Sequence, residues 1–144
     1  MMNYLVPIDF SNATEGLLTF LETLASKKDE ITLLHAAELN PALVGFEAGP
    51  DVVRAQIAEE FKKEHKEIQA LSKSLRDKGY NCKGLLIQGR PVKTILERAK
   101  KTKADMIVMG SHGRSAAYQI LVGSISEGVL HKSTIPVLFV PPKR

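Results

Sequence analysis

The chain has 144 residues, enough for one domain spanning residues 1–144 around a single substantial core, with no need of a second. Hydrophobic residues at 44% and charged residues at 25% suit a soluble globular protein, and no apolar run reaches the length of a membrane span. The net charge of +4 tolerates anionic ligands, but the cations are dispersed: Lys62 and Lys63 alternate with Glu59, Glu60 and Glu64, and only Arg98, Lys100, Lys101 and Lys103 cluster, in a helix's last turn where cations are favoured anyway. With three Tyr and five Phe not interleaved with the basic residues, nucleic acid is not the expected partner.

The start, Met1-Met-Asn-Tyr-Leu-Val-Pro7, lacks the basic and apolar blocks of a signal peptide, and the lone Cys82 allows no internal disulfide. A cytoplasmic protein is expected. Asn3 to Asp9 reads as a short strand buried on both faces, ending in a carboxylate. Asn12-Ala-Thr-Glu15 has the form of a capping box, and Leu17, Leu18, Leu21 and Leu24 recur at helical spacing, which predicts a helix to about Lys27-Lys28.

Glu30 to Ala37 is a second apolar strand, and Asn40 to Pro50 is a loop rich in breakers. A long helix capped by Asp51 follows, with Val53, Ile57, Phe61, Ile68, Leu71 and Leu75 on one stripe and Lys78-Gly79 as its stop. Asn81 to Gly89 is the third strand. Pro91 suits the first position of a helix carrying Val92, Ile95, Leu96 and Ala99 inward, Ala104 to Gly110 is the fourth strand, and Ile135 to Val140 the fifth. Between these last two strands, Ser124-x-x-Glu127 opens a fourth helix as a second capping box. Strict alternation of strand and helix predicts an α/β fold with a parallel sheet and helices on both faces.

The chemistry-bearing stretch is Met106-Ile-Val-Met-Gly-Ser-His-Gly-Arg114, closed by Gly123-Ser124. Gly110 and Gly113 are placed where positive φ and close approach of a ligand would be needed, and the helix opened by Gly123-Ser124 presents free N–H groups and a positive dipole end. This makes an anion cradle suited to phosphates, although on the residues alone it reads equally well as a tight connection between strand and helix. The turn after the first strand has no glycine and no G-x-x-x-x-G-K-[ST] occurs, so neither a Rossmann fingerprint nor a P-loop is present. His35, His65 and His131 lack metal-ligand spacing and read as structural histidines, and Cys82 as a small, partly buried residue.

Gly110-x-x-Gly113, nine intervening residues and Gly123-Ser124 resemble the signature G-x2-G-x9-G-(S/T) of the universal stress protein family, without gap or substitution. The likeness extends to Val6-Pro-Ile-Asp9, Leu33-Leu-His35, Gly89-Arg-Pro91 and Ile135 to Pro141. It implies a single-domain, open five-stranded parallel sheet in the order 3-2-1-4-5, akin to the adenine nucleotide alpha hydrolases, with the site at the switch point between strands one and four. It also implies ATP, or another adenine nucleotide, as cofactor. On this resemblance the ribose and phosphates meet Met109, Gly110, His112, Gly113, Arg114, Gly123, Ser124, Ile125 and Ser126, while Pro7, Asp9 and Ala36 lie on the adenosine side. No metal site is expected from the protein alone, which leaves Mg²⁺ to the phosphates.

The resemblance implies a stress-response role through nucleotide-dependent conformation or association. The alternative is a slow ATPase or autophosphorylating enzyme, for which His112, Glu127 and Asp9 would be the candidate groups. The fifth strand carries no charge through Val137, Leu138, Phe139 and Val140, contrary to how an exposed edge is protected. The resemblance implies that a second copy covers it, giving a homodimer.

Overall fold

A computed structural model describes residues 1–38, 50–112 and 123–142. In chain order the elements are β1 (Asn3–Pro7), α1 (Thr14–Leu24), β2 (Glu30–Ala37), α2 (Pro50–Asp77), β3 (Asn81–Gln88), α3 (Pro91–Lys101), β4 (Met106–Gly110), α4 (Ser124–Lys132) and β5 (Val137–Val140). The five strands form one sheet in the order β3-β2-β1-β4-β5, all pairs parallel. The predicted loop of residues 40–49 lies outside the described residues.

Alternation along the strands divides the core between two faces of the sheet. Tyr4, Val6, Ile31, Leu33 and Val108 point to the layer holding Leu17, Leu18 and Leu21 of α1 and Ile68 and Leu75 of α2. Leu5, Leu34, Ile107 and Met109 point the other way, to Ile95 and Ala99 of α3 and Val129 of α4. The chain runs outward from β1 to β3 with its helices on one face, then crosses to β4 and continues to β5 with its helices on the other. Right-handed crossovers demand this change of face when the direction of travel reverses.

Several boundaries differ from the sequence reading, each for a local reason. No capping box starts α1: Ala13 is the N-cap and makes no side-chain bond. Asp9 Oδ1 instead accepts from Ser11 N at 2.9 Å and Ser11 Oγ from Ala13 N at 3.3 Å, so the turn after β1 is held by its own short polar side chains. α1 stops at Leu24 because Asp29 gathers the chain beyond it, its carboxylate accepting from Ser26 N at 2.8 Å and Met2 N at 2.7 Å. Those two backbone bonds hold the Asp29 carboxyl below the usual range, against the opposing effect of burial.

β4 begins at Met106, not Ala104, since Lys103 takes a φ of 55° and turns the chain. β5 starts at Val137 because Pro136 has no N–H to give, although its carbonyl still accepts from Ile107 N at 3.0 Å. The stop of α2 is as expected: Gly79 has a φ of 95°, and Gly79 N and Tyr80 N donate to Arg76 O and Leu75 O at 2.9 and 3.1 Å.

Candidate functional site

β1 and β4 are hydrogen-bonded neighbours, with Tyr4 opposite Met106 and Leu5 opposite Ile107. Beyond their C-terminal ends the chain leaves β1 toward α1 on one face and reaches α4 on the other, so a crevice opens at the switch point. It is a cleft of about 300 Å³. Pro7 lines it from the end of β1 and Asp9 from the turn beyond, Ala36 from β2, Met109 and Gly110 from β4 and His112 from just after it, and Gly123, Ser124, Ile125 and Ser126 from the start of α4. Every predicted nucleotide-site residue that is described therefore borders one cleft; Gly113 and Arg114 lie outside the described residues.

The α4 end of the cleft is tied to the sheet by backbone bonds. Gly123 N donates to Ser111 O at 2.7 Å, Ser111 N to Val140 O at 3.1 Å, and Glu127 N to Gly123 O at 2.8 Å as the first helical bond. The N–H groups of Ser124, Ile125 and Ser126 precede that bond, so they have no intrahelical partner and stand at the positive end of the helix dipole. Ser126 is buried and its Oγ donates to Gly110 O at 2.8 Å, which commits its one proton to bracing β4 against α4. Ser124 is exposed and is the first helical residue. The second predicted capping box is also absent, since Gly123 is the N-cap, and Glu127 instead approaches His131 with Oε1 to Nε2 at 3.5 Å. Gly110 does not use positive φ; it ends β4 as an ordinary extended residue paired with Val140.

Ser11, Thr14, Leu17, Leu34 and Ile95 also line the cleft, and so does His35, which had been read as merely structural. Its place at the C-terminal end of a parallel strand, directly before Ala36, was the available signal. His35 Nδ1 lies 2.7 Å from Ile8 O, its ring centroid 4.6 Å from that of Phe10, and its Nε2 3.1 Å from Glu64 Oε2 of α2.

Burial raises the Glu64 carboxyl above the usual range and the contact with Glu60 adds to this, while His35 pulls it back. A group whose folded pKa is raised contributes its full stability below the unfolded value, about 4.3 for glutamate, and loses it as pH rises through the folded value. The melting temperature of Glu64→Gln minus that of wild type should therefore grow from acid to neutral pH; calorimetric scans across that interval check it, and a constant difference would contradict it.

The remaining titratable groups are peripheral. His65 and His131 are exposed, and among the described residues no three His, Cys, Asp or Glu side chains gather as a metal site. Cys82 is fully buried rather than partly so, and burial pushes its thiol up to about 12, against the pull of Arg76, leaving it unreactive near neutrality. No helix among the described residues is long and apolar enough to cross a membrane. Val137 to Val140 are all half-buried on an outermost strand whose one sheet partner among the described residues is β4.

The family model described as "Universal stress protein family" matches residues 1–141. Universal stress protein MJ0577 of Methanocaldococcus jannaschii is 32% identical over 158 aligned positions, covering 96% of this chain and 94% of its own. Its solved structure superposes with a TM-score of 0.86 at 29% identity, over 99% of this chain and 96% of that one. Universal stress protein YxiE of Bacillus subtilis is 32% identical over 94% of this chain and 96% of its own. A universal stress protein family member from Arabidopsis thaliana, solved with AMP bound, shares the fold at a TM-score of 0.69 and 18% identity, covering 99% of this chain and 93% of that one.

Proposed function

This chain belongs to the universal stress protein family, and we propose that it is an adenine-nucleotide-binding member, with ATP as its ligand, acting in the cytoplasmic stress response through nucleotide-dependent conformation or association. The observation that carries the reading is the gathering of the predicted residues around one cleft at the switch point, with the N-terminus of α4 at one end. In this reading the phosphates lie against Gly123, Ser124 and Ile125, with Gly113 and Arg114 of the intervening loop contributing to the same end. Asp9 and Ala36 border the nucleoside, and Pro7 and Met109 supply apolar wall. Mg²⁺ would come with the phosphates. The AMP in the Arabidopsis relative agrees with this class of ligand.

A binding role fits better than rapid chemistry. Asp9 spends one oxygen on Ser11 N, and Glu127 leans toward exposed His131, so neither is poised over a phosphate to direct an attacking water. The test is mass spectrometry of the gently purified protein, together with calorimetric titration by ATP. Retained or added adenine nucleotide binding at one site per chain is expected, with phosphate release well below about one per second; absence of any adenine nucleotide binding would overturn the reading.

The same proposal includes a homodimer through β5. The open edge of that strand carries backbone groups of Val137, Leu138, Phe139 and Val140 and no charge, an arrangement suited to a second copy paired antiparallel about a twofold axis. Light scattering should give twice the chain mass of 15.8 kDa. Leu138→Lys or Phe139→Lys, shown by circular dichroism to be folded, should give the monomer mass, since an uncompensated charge would enter the contact. A wild-type monomer at high micromolar concentration would refute the dimer.

A further inference from the structure

His35, on the cleft wall, joins the exit of β1 to α2, a helix that contributes no lining residue to the cleft. His35 Nδ1 is 2.7 Å from the carbonyl oxygen of Ile8, and a carbonyl can only accept, so Nδ1 carries a hydrogen. The ring's remaining nitrogen, Nε2, is 3.1 Å from Glu64 Oε2. That oxygen is sealed from solvent and has no hydrogen-bond partner among the described residues, its 3.1 Å approach to Nε2 being an ion-pair contact. The two side chains are 14% and 20% exposed, too little for water to screen a lone pair facing a lone pair. One proton has to lie between them, either as imidazolium against carboxylate or as a neutral ring accepting from a carboxylic acid.

We propose that His35 and Glu64 share one proton across this gap and that the shared proton clamps α2 to the cleft edge, making His35 a positioning residue for the bound nucleotide. The proposal rests on the adenine-nucleotide reading of the cleft. Through Nδ1 the ring holds Ile8, and through its face it packs on Phe10, whose backbone sits at a φ of 58°. Asp9 lies between those two residues and borders the cleft. Through Nε2 the same ring holds the middle of a 28-residue helix. Loss of the proton releases α2 and loosens the segment that carries Asp9.

Among the described residues, few groups could compete for the proton. From α2, Glu60 lies beside Glu64 and its charge and contact favour keeping the proton on Glu64. From the β1 exit, Asp9 is engaged with Ser11 N. From β3, the register partner of His35 is Leu86, which has no charge. His112 borders the cleft from just after β4, with its Nδ1 2.8 Å from Ser111 Oγ.

Nitrogen NMR of the histidine side chains should show His35 Nδ1 protonated throughout about pH 5 to about pH 8, with any change confined to Nε2. Glu64→Leu removes the clamp without adding a charge; its α2 amides should exchange faster than in wild type and its affinity for ATP should fall about tenfold, the order expected for a lost charge-assisted hydrogen bond. Glu64→Gln can donate an amide hydrogen to the neutral ring, so it should keep slow exchange and wild-type affinity within about threefold. A bare Nδ1, or wild-type α2 exchange in a folded Glu64→Leu, would overturn the clamp. If wild type binds no adenine nucleotide while the NMR and exchange results are as expected, the functional reading fails and the clamp stands.

Discussion

Gly84→Val is expected to lower the melting temperature by about 10 °C. A Cβ at this buried β3 position would sit 2.9 Å from Ile68 O and 3.3 Å from Ile68 C, and both are backbone atoms that no rotamer change can remove. Relief requires α2 to lift from the sheet, yet Ile68 and Leu75 are its fully buried anchors, and Gln69 Nε2 donates to Gly84 O at 2.8 Å. Overpacking of this kind costs about 1–3 kcal/mol, and two further methyl groups place valine at the upper end; for a chain of this size each kcal/mol is worth roughly 3 °C. Gly16→Ala in α1 is the contrast, since an added Cβ meets nothing within 4 Å. It should stabilise by about 0.5–1 kcal/mol through helix propensity. Thermal unfolding followed by circular dichroism reads both, and an unchanged melting temperature for Gly84→Val would mean that α2 is not seated on β3 as described.

Ser124→Glu should separate binding from folding, because its effects on the two have opposite signs. A carboxylate at the first position of α4 is favourable to the helix dipole, by about 0.3–1 kcal/mol, and Ser124 is exposed, so the fold should be unharmed or slightly firmer. Placed where the triphosphate is proposed to lie, the same carboxylate opposes like charge. Several kcal/mol are at stake, which corresponds to at least about a hundredfold loss of ATP affinity. Calorimetric titration beside a melting curve gives both values. Undiminished ATP affinity would move the phosphates away from this helix start.

The architecture was legible because a parallel sheet buried on both faces writes itself as continuous apolar runs, and β2 at Glu30–Ala37 and the start of α3 at Pro91 are as expected. Gly110 and Gly123-Ser124 were singled out by the resemblance of their spacing to the family signature, because on the residues alone they read equally well as a tight connection between strand and helix. Helix starts were misread for a physical reason: Ser-x-x-Glu and Asn-x-x-Glu have the residues of a capping box, but at Ala13 and Gly123 the competing bonds of Asp9, Ser11 and Ser126 decide the geometry. His35 escaped notice because its partners, Ile8 and Glu64, stand 27 and 29 residues away in sequence and no local pattern announces a contact between a strand end and the middle of a helix.

The sheet order places β1, the earliest strand in the chain, at the centre, with β2 on one side and β4 on the other. As the chain leaves the ribosome, β1, β2 and β3 can pair as each appears, but the far side of β1 must wait for β4, about a hundred residues after Asn3. A nascent half-sheet therefore carries an open, wholly apolar central strand, Tyr4-Leu-Val6, for as long as synthesis of α3 takes. At about 5–20 residues per second that interval lasts seconds, long against strand pairing and collapse. This chain's hazard during synthesis is thus at its middle, and a chaperone that engages it would be expected to hold β1 until β4 emerges.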